Sequence, residues 1–261
     1  MHKKELVLNS INLDRVVKLT IMHPALSTFS FRRYPVLYLN DGQDIPSLLL
    51  EETLKKLFAA HEIEPFILVG IHANERRIQE YGTAKKADYA GRGNLAKQFT
   101  QFVLTELKPY IETHFRVKSG PQHNFFAGFS LGGLSALDIV WHHPEFFSKV
   151  GVFSGSLWWR SKALDKGYNE ATDRIMHALI RENPHKPAVK FWLQTGTQDE
   201  VSDRNNNGII DSIDDTLGLI EELEKKGYQR ENDFIYREVE GGRHDQTTWG
   251  KVMPEFLKWA F

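Results

Sequence analysis

Two patterns of apolar residues alternate along this chain of 261 residues. The first is a short, near-continuous apolar run: Pro35 to Leu39, Phe66 to Ile71, Phe125 to Ala127, Val150 to Phe153, Val189 to Leu193 and Phe234 to Val239. Such runs are expected of strands buried on both faces of a mostly parallel sheet. The second repeats at helical spacing, as in Leu50, Leu54, Leu57 and Phe58, or Leu95, Phe99, Phe102, Val103 and Leu107. Leu134, Leu137, Val140 and Trp141, the stretches 171–182 and 217–226, and Trp249 to Trp259 predict further helices, and Pro109 should kink or end the second one. Residues 5–8 and 15–22 read as an opening antiparallel hairpin. Alternation of strand and helix predicts a doubly wound α/β fold: one domain over 1–261, about eight strands, helices on both faces.

In such a sheet, functional residues gather beyond the carboxyl ends of the strands. There the chain enters Gly128-Phe129-Ser130-Leu131-Gly132 between an apolar run and a helical pattern. This is a nucleophile elbow, a strand, sharp turn and helix that expose a strained serine hydroxyl. Serine needs a base to take its proton, and the base needs an orienting carboxylate. His244 follows the last strand, and Asp199 follows the strand before it, with Glu200 and Asp245 as rivals for the acid. The order Ser, Asp, His is that of α/β-hydrolases. The amides of Leu131 and Gln43, the latter in the loop after Leu39, are the expected donors to an oxyanion. A long polar segment, 72–94, carries Arg76 and Arg77, and Trp158 and Trp159 follow another strand end. The arginines and tryptophans together predict one wall of a substrate pocket, against the alternative that the tryptophans pack the core.

Composition narrows the function further. Lys plus Arg number 33 against 34 Asp plus Glu, which argues against a broad nucleic-acid surface. The absence of cysteine excludes a thiolate zinc site and a cysteine nucleophile. No apolar core of signal-peptide length follows the basic start, so a cytoplasmic location without membrane attachment is expected. Oligomeric state is left open, and catalysis calls for no cofactor. One metal-type pattern stands apart. Asp203, Asn205, Asn207, Asp211 and Asp214 fall at the first, third, fifth, ninth and twelfth positions of an EF-hand-like loop, with Gly208 at the sixth and the Ile209 carbonyl at the seventh. Asp214 stands where EF-hands use glutamate, and the expected role is a structural Ca²⁺ behind Asp199.

The stretches Tyr34 to Gln43, Glu106 to Ile111, Gly128 to Gly133, Ser154 to Trp159, Gly196 to Asp199 and Gly242 to His244 together resemble the esterase D, or "putative esterase", family. The similarity is greatest to its enterochelin esterase and feruloyl or acetyl-xylan esterase branches. Asp41-Gly42, where many relatives have His-Gly, and Ser154 to Trp159 lean to the siderophore side. Against the siderophore side, such esterases often carry an additional N-terminal domain, which a chain of this length is not expected to include. The resemblance implies an α/β-hydrolase fold and hydrolysis of a small-molecule ester, on aromatic or siderophore-type substrates. An acyltransferase using the same acyl-enzyme, or a non-catalytic binding module, are the alternatives.

Overall fold

A computed structural model describes residues 1–24 and 32–261. The predicted hairpin forms from β1 (His2–Ser10) and β2 (Arg15–His23), and the apolar runs become β3 (Val36–Asn40), β4 (Ile67–Ile71), β5 (Asn124–Phe129), β6 (Lys149–Phe153), β7 (Lys190–Gln198) and β8 (Phe234–Arg243). All eight lie in one sheet of order β1-β2-β4-β3-β5-β6-β7-β8. β2 runs antiparallel to both its neighbours, β1 and β4, whereas β3 to β8 run parallel to one another. The helices are α1 (Leu50–Ala59), α2 (Arg77–Glu80), α3 (Ala96–Gln101), α4 (Lys108–His114), α5 (Leu131–His142), α6 (Glu170–Asp173), α7 (Ile175–Glu182), α8 (Asp211–Lys225) and α9 (Gln246–Ala260). This is the expected α/β-hydrolase architecture.

Alternation along each strand divides the core in two. In β3, Val36 and Tyr38 point to the face covered by α3, α4, α5, α7 and α8, while Leu37 and Leu39 point to the face covered by α1 and α9. The central strands β3, β4 and β5 are buried at every position, which is why their sequences lack a polar alternation.

Three elements depart from the sequence pattern. Pro109 does not end its helix: Phe102–Leu107 forms a π-helical segment between α3 and α4, and this widened turn accommodates a proline that has no amide to donate. The stretch 171–182 breaks at Arg174, whose extended ψ of 108° separates α6 from α7 while its guanidinium reaches Asp215 at 3.0 Å. Finally, α8 starts at Asp211, six residues before Leu217, because its first turn is polar.

The site is positioned by β7 and β8, which run beyond their apolar cores into polar sequence. A bulge between Gly196 and Gln198 keeps them paired until Gln198 meets Arg243. Asp199 and His244, the next residue on each strand, therefore emerge side by side. Among the described residues no helix is long and apolar enough to cross a membrane.

Candidate active site

Ser130 sits where β5 turns into α5, with φ 53° and ψ −123°. A non-glycine residue holds such angles only under constraint from its surroundings. Here the Ser130 amide donates to Phe153 O at 2.8 Å, and its carbonyl accepts from the Ser156 amide at 3.0 Å. Gly128 makes the turn possible, since a Cβ there would lie 2.3 Å from Gly132 O. Every residue of α5 from Leu131 to Trp141 is buried, so the helix is fixed on all sides. The Leu131 amide belongs to its first turn, where backbone N–H groups lack intrahelical acceptors.

Beside the turn lies a cleft of about 290 Å³ whose walls include Ser130, Asp199, His244, Glu200, Trp158 and Ser154. Asp199 accepts from the Gly196 amide through Oδ2 at 3.0 Å, and its Oδ1 is buried without a hydrogen-bond partner. Burial raises the Asp199 pKa above the usual carboxylate range, opposed by the Gly196 amide, by the nearby Ser154 hydroxyl, which lies outside hydrogen-bonding geometry, and by the charge of His244. Burial likewise lowers the His244 pKa, opposed by Asp199 and assisted by Arg77. Trp249 meets the imidazole edge to face at 5.2 Å. Of the rival acids, Asp245 is committed elsewhere: it caps α9, accepting from the Thr248 amide at 2.8 Å. Glu200 shares the cleft, its carboxyl raised by burial and then by the charge of Asp211.

Gln43 lies in the short 3₁₀ turn Gly42–Asp44 after β3, where the left-handed residue is Asp41, at φ 59°. Gly42 serves a different need, because a Cβ on it would stand 2.4 Å from the backbone of Gly70. The Gln43 side chain accepts from the Ala73 amide at 3.0 Å and donates to Asp41 at 3.2 Å.

The predicted arginine and tryptophan wall needs correcting. Trp159 is wholly buried, its ring packed beneath Gly82 and Gly93. Arg77 forks the buried Asp41 carboxylate with two bonds of 2.7 Å, and Arg76 reaches Glu80 and Leu13 O. Only Trp158 of the four lines the cleft, and its cationic neighbours are Arg92 at 4.8 Å and Arg160 at 5.9 Å. A second cleft of about 320 Å³ shares Trp158 and Glu200 with the first and is walled by Tyr89, Arg92, Arg160 and Leu164.

The sequence reading missed two features. Asp41 and Arg77 are 36 residues apart, and no local pattern announces their pairing beneath the Gly42–Asp44 turn. Ser156 brings its Oγ within 3.3 Å of Ser130 Oγ. Its signal was available in Ser154-Gly155-Ser156, a polar turn immediately after the strand next to β5.

In the EF-hand-like loop, Gly208 has φ +84°, Asp203 accepts from the amides of Asn207 and Gly208, and the Asn205 and Asn207 side chains both meet Asp214. Asp211 is drawn instead to Arg204, whose amide it accepts at 2.9 Å. No group of three or more His, Asp or Glu side chains among the described residues is placed to hold a metal. A cation here would rely on neutral oxygens of Asn205, Asn207 and Ile209 besides Asp203 and Asp214, a fit in part only.

The "Putative esterase" family model matches residues 10–260. The chain belongs to that family. It is 30% identical over 134 residues to an endo-1,4-beta-xylanase/feruloyl esterase of Xylanibacter ruminicola, covering 47% of this chain and 17% of that protein. It is 24% identical over 247 residues to the iron(III) enterobactin esterase of Escherichia coli, covering 94% of this chain and 54% of the relative. Among solved structures, the enterobactin esterase of Shigella flexneri in the presence of enterobactin superposes with a TM-score of 0.76 at 21% identity, over 100% of this chain and 58% of that one. A ferulic acid esterase superposes with a TM-score of 0.75 at 20% identity, over 99% and 97% of the two chains. At these identities the structural likeness speaks for the fold. The chain spans well under two thirds of the length of either curated relative.

Proposed function

We propose that the chain hydrolyses carboxylic esters of small molecules through a covalent acyl-enzyme, with Ser130 as nucleophile, His244 as base and Asp199 as the orienting acid. The observation that carries this reading is the strained Ser130 turn opening into the same cleft as His244 and Asp199. Family membership supports the ester as the bond attacked.

Ser130 Oγ attacks the ester carbonyl carbon as its proton passes to the imidazole. The carbonyl oxygen gains negative charge, which the amides of Leu131 and Gln43 meet. As the tetrahedral centre collapses, the imidazolium returns its proton to the leaving alcohol. Water then attacks the acyl-enzyme with His244 again as base, releasing the acid and restoring Ser130. Asp199 stabilises the imidazolium and fixes the ring; it stays a carboxylate throughout. The Asp41–Arg77 pair holds the Gln43 turn in place.

On the substrate side, Trp158 offers the aromatic surface of the cleft, which suits a flat aromatic acyl or alcohol group. The names of the enterobactin and feruloyl relatives support the same class. The loop from Asp203 to Asp214 takes a structural Ca²⁺ in this reading, with no part in the chemistry.

Labelling with a fluorophosphonate tests the mechanism, because the reagent needs an activated serine. One equivalent should bind the native protein and none the folded Ser130→Ala variant. Labelling that persists in the variant would place the nucleophile elsewhere.

A further inference from the structure

Trp249 and Ser154 stand behind the acid–base pair and take no part in the proposed chemistry as it stands above. Ser154 is 1% exposed and held at φ 46°, in the left-handed region disfavoured for a residue with a Cβ. Its amide donates to Gln194 O at 2.8 Å. Trp249 Nε1 donates to Ser154 Oγ at 2.9 Å, wholly inside the protein. An indole nitrogen can only donate, so this bond fills a lone pair on Ser154 Oγ and leaves the hydroxyl proton to seek an acceptor elsewhere. Ser154 lines the cleft with Asp199 and His244; two buried atoms of that lining able to accept a hydrogen bond have no partner, Asp199 Oδ1 and Ser212 Oγ, and of the two only Asp199 carries charge.

We infer that Trp249 and Ser154 form a relay that positions the acid–base pair: the indole N–H orients the Ser154 hydroxyl toward Asp199, while the same ring supports His244. Trp249 is suited to both tasks because its ring lies edge to face with His244 at 5.2 Å, stacks on Phe129 at 5.0 Å, and is 5% exposed. Phe129 immediately precedes Ser130, so a single side chain spans from the base to the nucleophile turn. The Ser154 hydroxyl helps hold the Asp199 carboxyl down against burial, in keeping with this role. Without it, Oδ1 would have no donor besides the imidazole that Asp199 orients, a costly loss for a half-buried carboxylate. Strain at Ser154 has a purpose on this account, since the turn it permits delivers the hydroxyl to Asp199 and the next-but-one residue, Ser156, to Ser130.

The inference rests on the triad reading above, so its test separates the two. Trp249→Phe keeps a ring against His244 and removes only the N–H; Ser154→Ala removes the hydroxyl. Each should lower kcat on a p-nitrophenyl ester about ten- to a hundred-fold with KM little changed, the usual scale for a hydrogen bond to a charged group. Because both act through one proton, the double variant should be no slower than Ser154→Ala alone. A weaker set of donors makes the Asp199–His244 pair hold its proton more tightly, so the acid limb of the kcat/KM profile should move to higher pH by up to about one unit. The other groups bearing on that pair, Asp245, Arg77 and Tyr236, are unchanged in both variants. Multiplicative losses with an unmoved limb would mean that the two residues merely pack, and would overturn the relay. Native kcat in the folded Trp249→Phe variant would overturn it equally. If instead Asp199→Asn is nearly as active as the native chain and Glu200→Gln is crippled, the choice of acid fails, whatever the relay variants do.

Discussion

Trp158 and Trp159 are neighbours in sequence and opposites in the structure. The dipeptide follows a strand end, and nothing in its local pattern separates the ring that meets the cleft from the ring packed under Gly82 and Gly93. That difference depends on a loop from elsewhere in the chain. Trp158→Ala should therefore raise KM for aromatic-acyl esters several-fold more than for acetate esters, in proportion to an aromatic contact of about 0.5–1.5 kcal/mol. Trp159→Ala should cost about 3–5 kcal/mol of stability and affect both substrates alike. Initial rates on the two ester classes, with melting curves, check both; a substrate-selective Trp159→Ala would reverse the assignment. The sharp turn at Ser130 and the place of His244 after the last strand were legible because glycine spacing and position after a strand are local features. Asp41–Arg77 was not, since a buried pair is made by contacts distant in sequence. The His244 pKa direction gives a further expectation. As the proposed base it must be neutral to act, and burial chiefly lowers its pKa, so activity is expected above that value and lost as pH falls through it. The acid limb of kcat/KM should therefore lie below about 6.5, the value for free imidazole. A limb above 7 in a pH–rate profile would contradict the buried, neutral base.

Among the elements, strands buried on both faces were read from their apolar runs, whereas their polar extensions were not. Residues 195–198 and 240–243 lack the hydrophobic signal, yet they hold β7 and β8 together as far as Asp199 and His244. Their pairing is backbone to backbone, which side-chain patterns do not report. The same blindness applies to the π-helical segment before Pro109, visible only as hydrogen-bond geometry. The EF-hand-like loop is the converse case, a pattern legible in sequence whose occupancy depends on how its side chains converge. With Asp211 taken by Arg204 and two carboxamides among the remaining donors, its charge is low, and affinity should fall in the weak range of about 10⁻⁴–10⁻³ M. At about 10 mM Ca²⁺, ten times a Kd of about 1 mM, linkage contributes about 1.4 kcal/mol and should raise Tm by roughly 2–4 °C. Mg²⁺ should do less, because it demands tighter octahedral geometry. Thermal melts of the native chain and Asp203→Ala in EDTA, Mg²⁺ and Ca²⁺ decide the matter. Identical melts in EDTA and Ca²⁺ would remove the metal from the account.

Stability of the whole molecule depends on two apolar cores, one on each face of the sheet, and on polar groups sealed inside the larger of them. His177 is the chief example. It lies on α7, reaches across to α8 to bond Asp215 O through Nε2 at 2.8 Å, and leaves Nδ1 buried without a partner. Nε2 therefore carries the proton that makes the bond, and a second proton on Nδ1 would put an unpaired charge in the core. Burial first, and then the charge of Arg174, push its pKa down to about 3. In the unfolded chain the same imidazole titrates near 6.5. Above that pH it is neutral in both states and its contribution to stability is complete. As pH falls from about 6.5 toward 3, the unfolded chain takes up a proton that the folded chain refuses, and stability declines by about 1.4 kcal/mol per pH unit. Asp199 and Asp215, both raised by burial, titrate with the opposite sign, so the slope of the native protein alone is a composite. Comparison with His177→Gln isolates the term, because glutamine keeps a side-chain N–H for Asp215 O and cannot titrate, while the acids remain. Urea denaturation of both chains from pH 7.5 to 4.5 should show the native protein losing ground to the variant steadily below about 6.5, even if the variant begins less stable. A constant difference between the two across that range would show that His177 accepts its second proton as readily folded as unfolded, and that the core around it admits water.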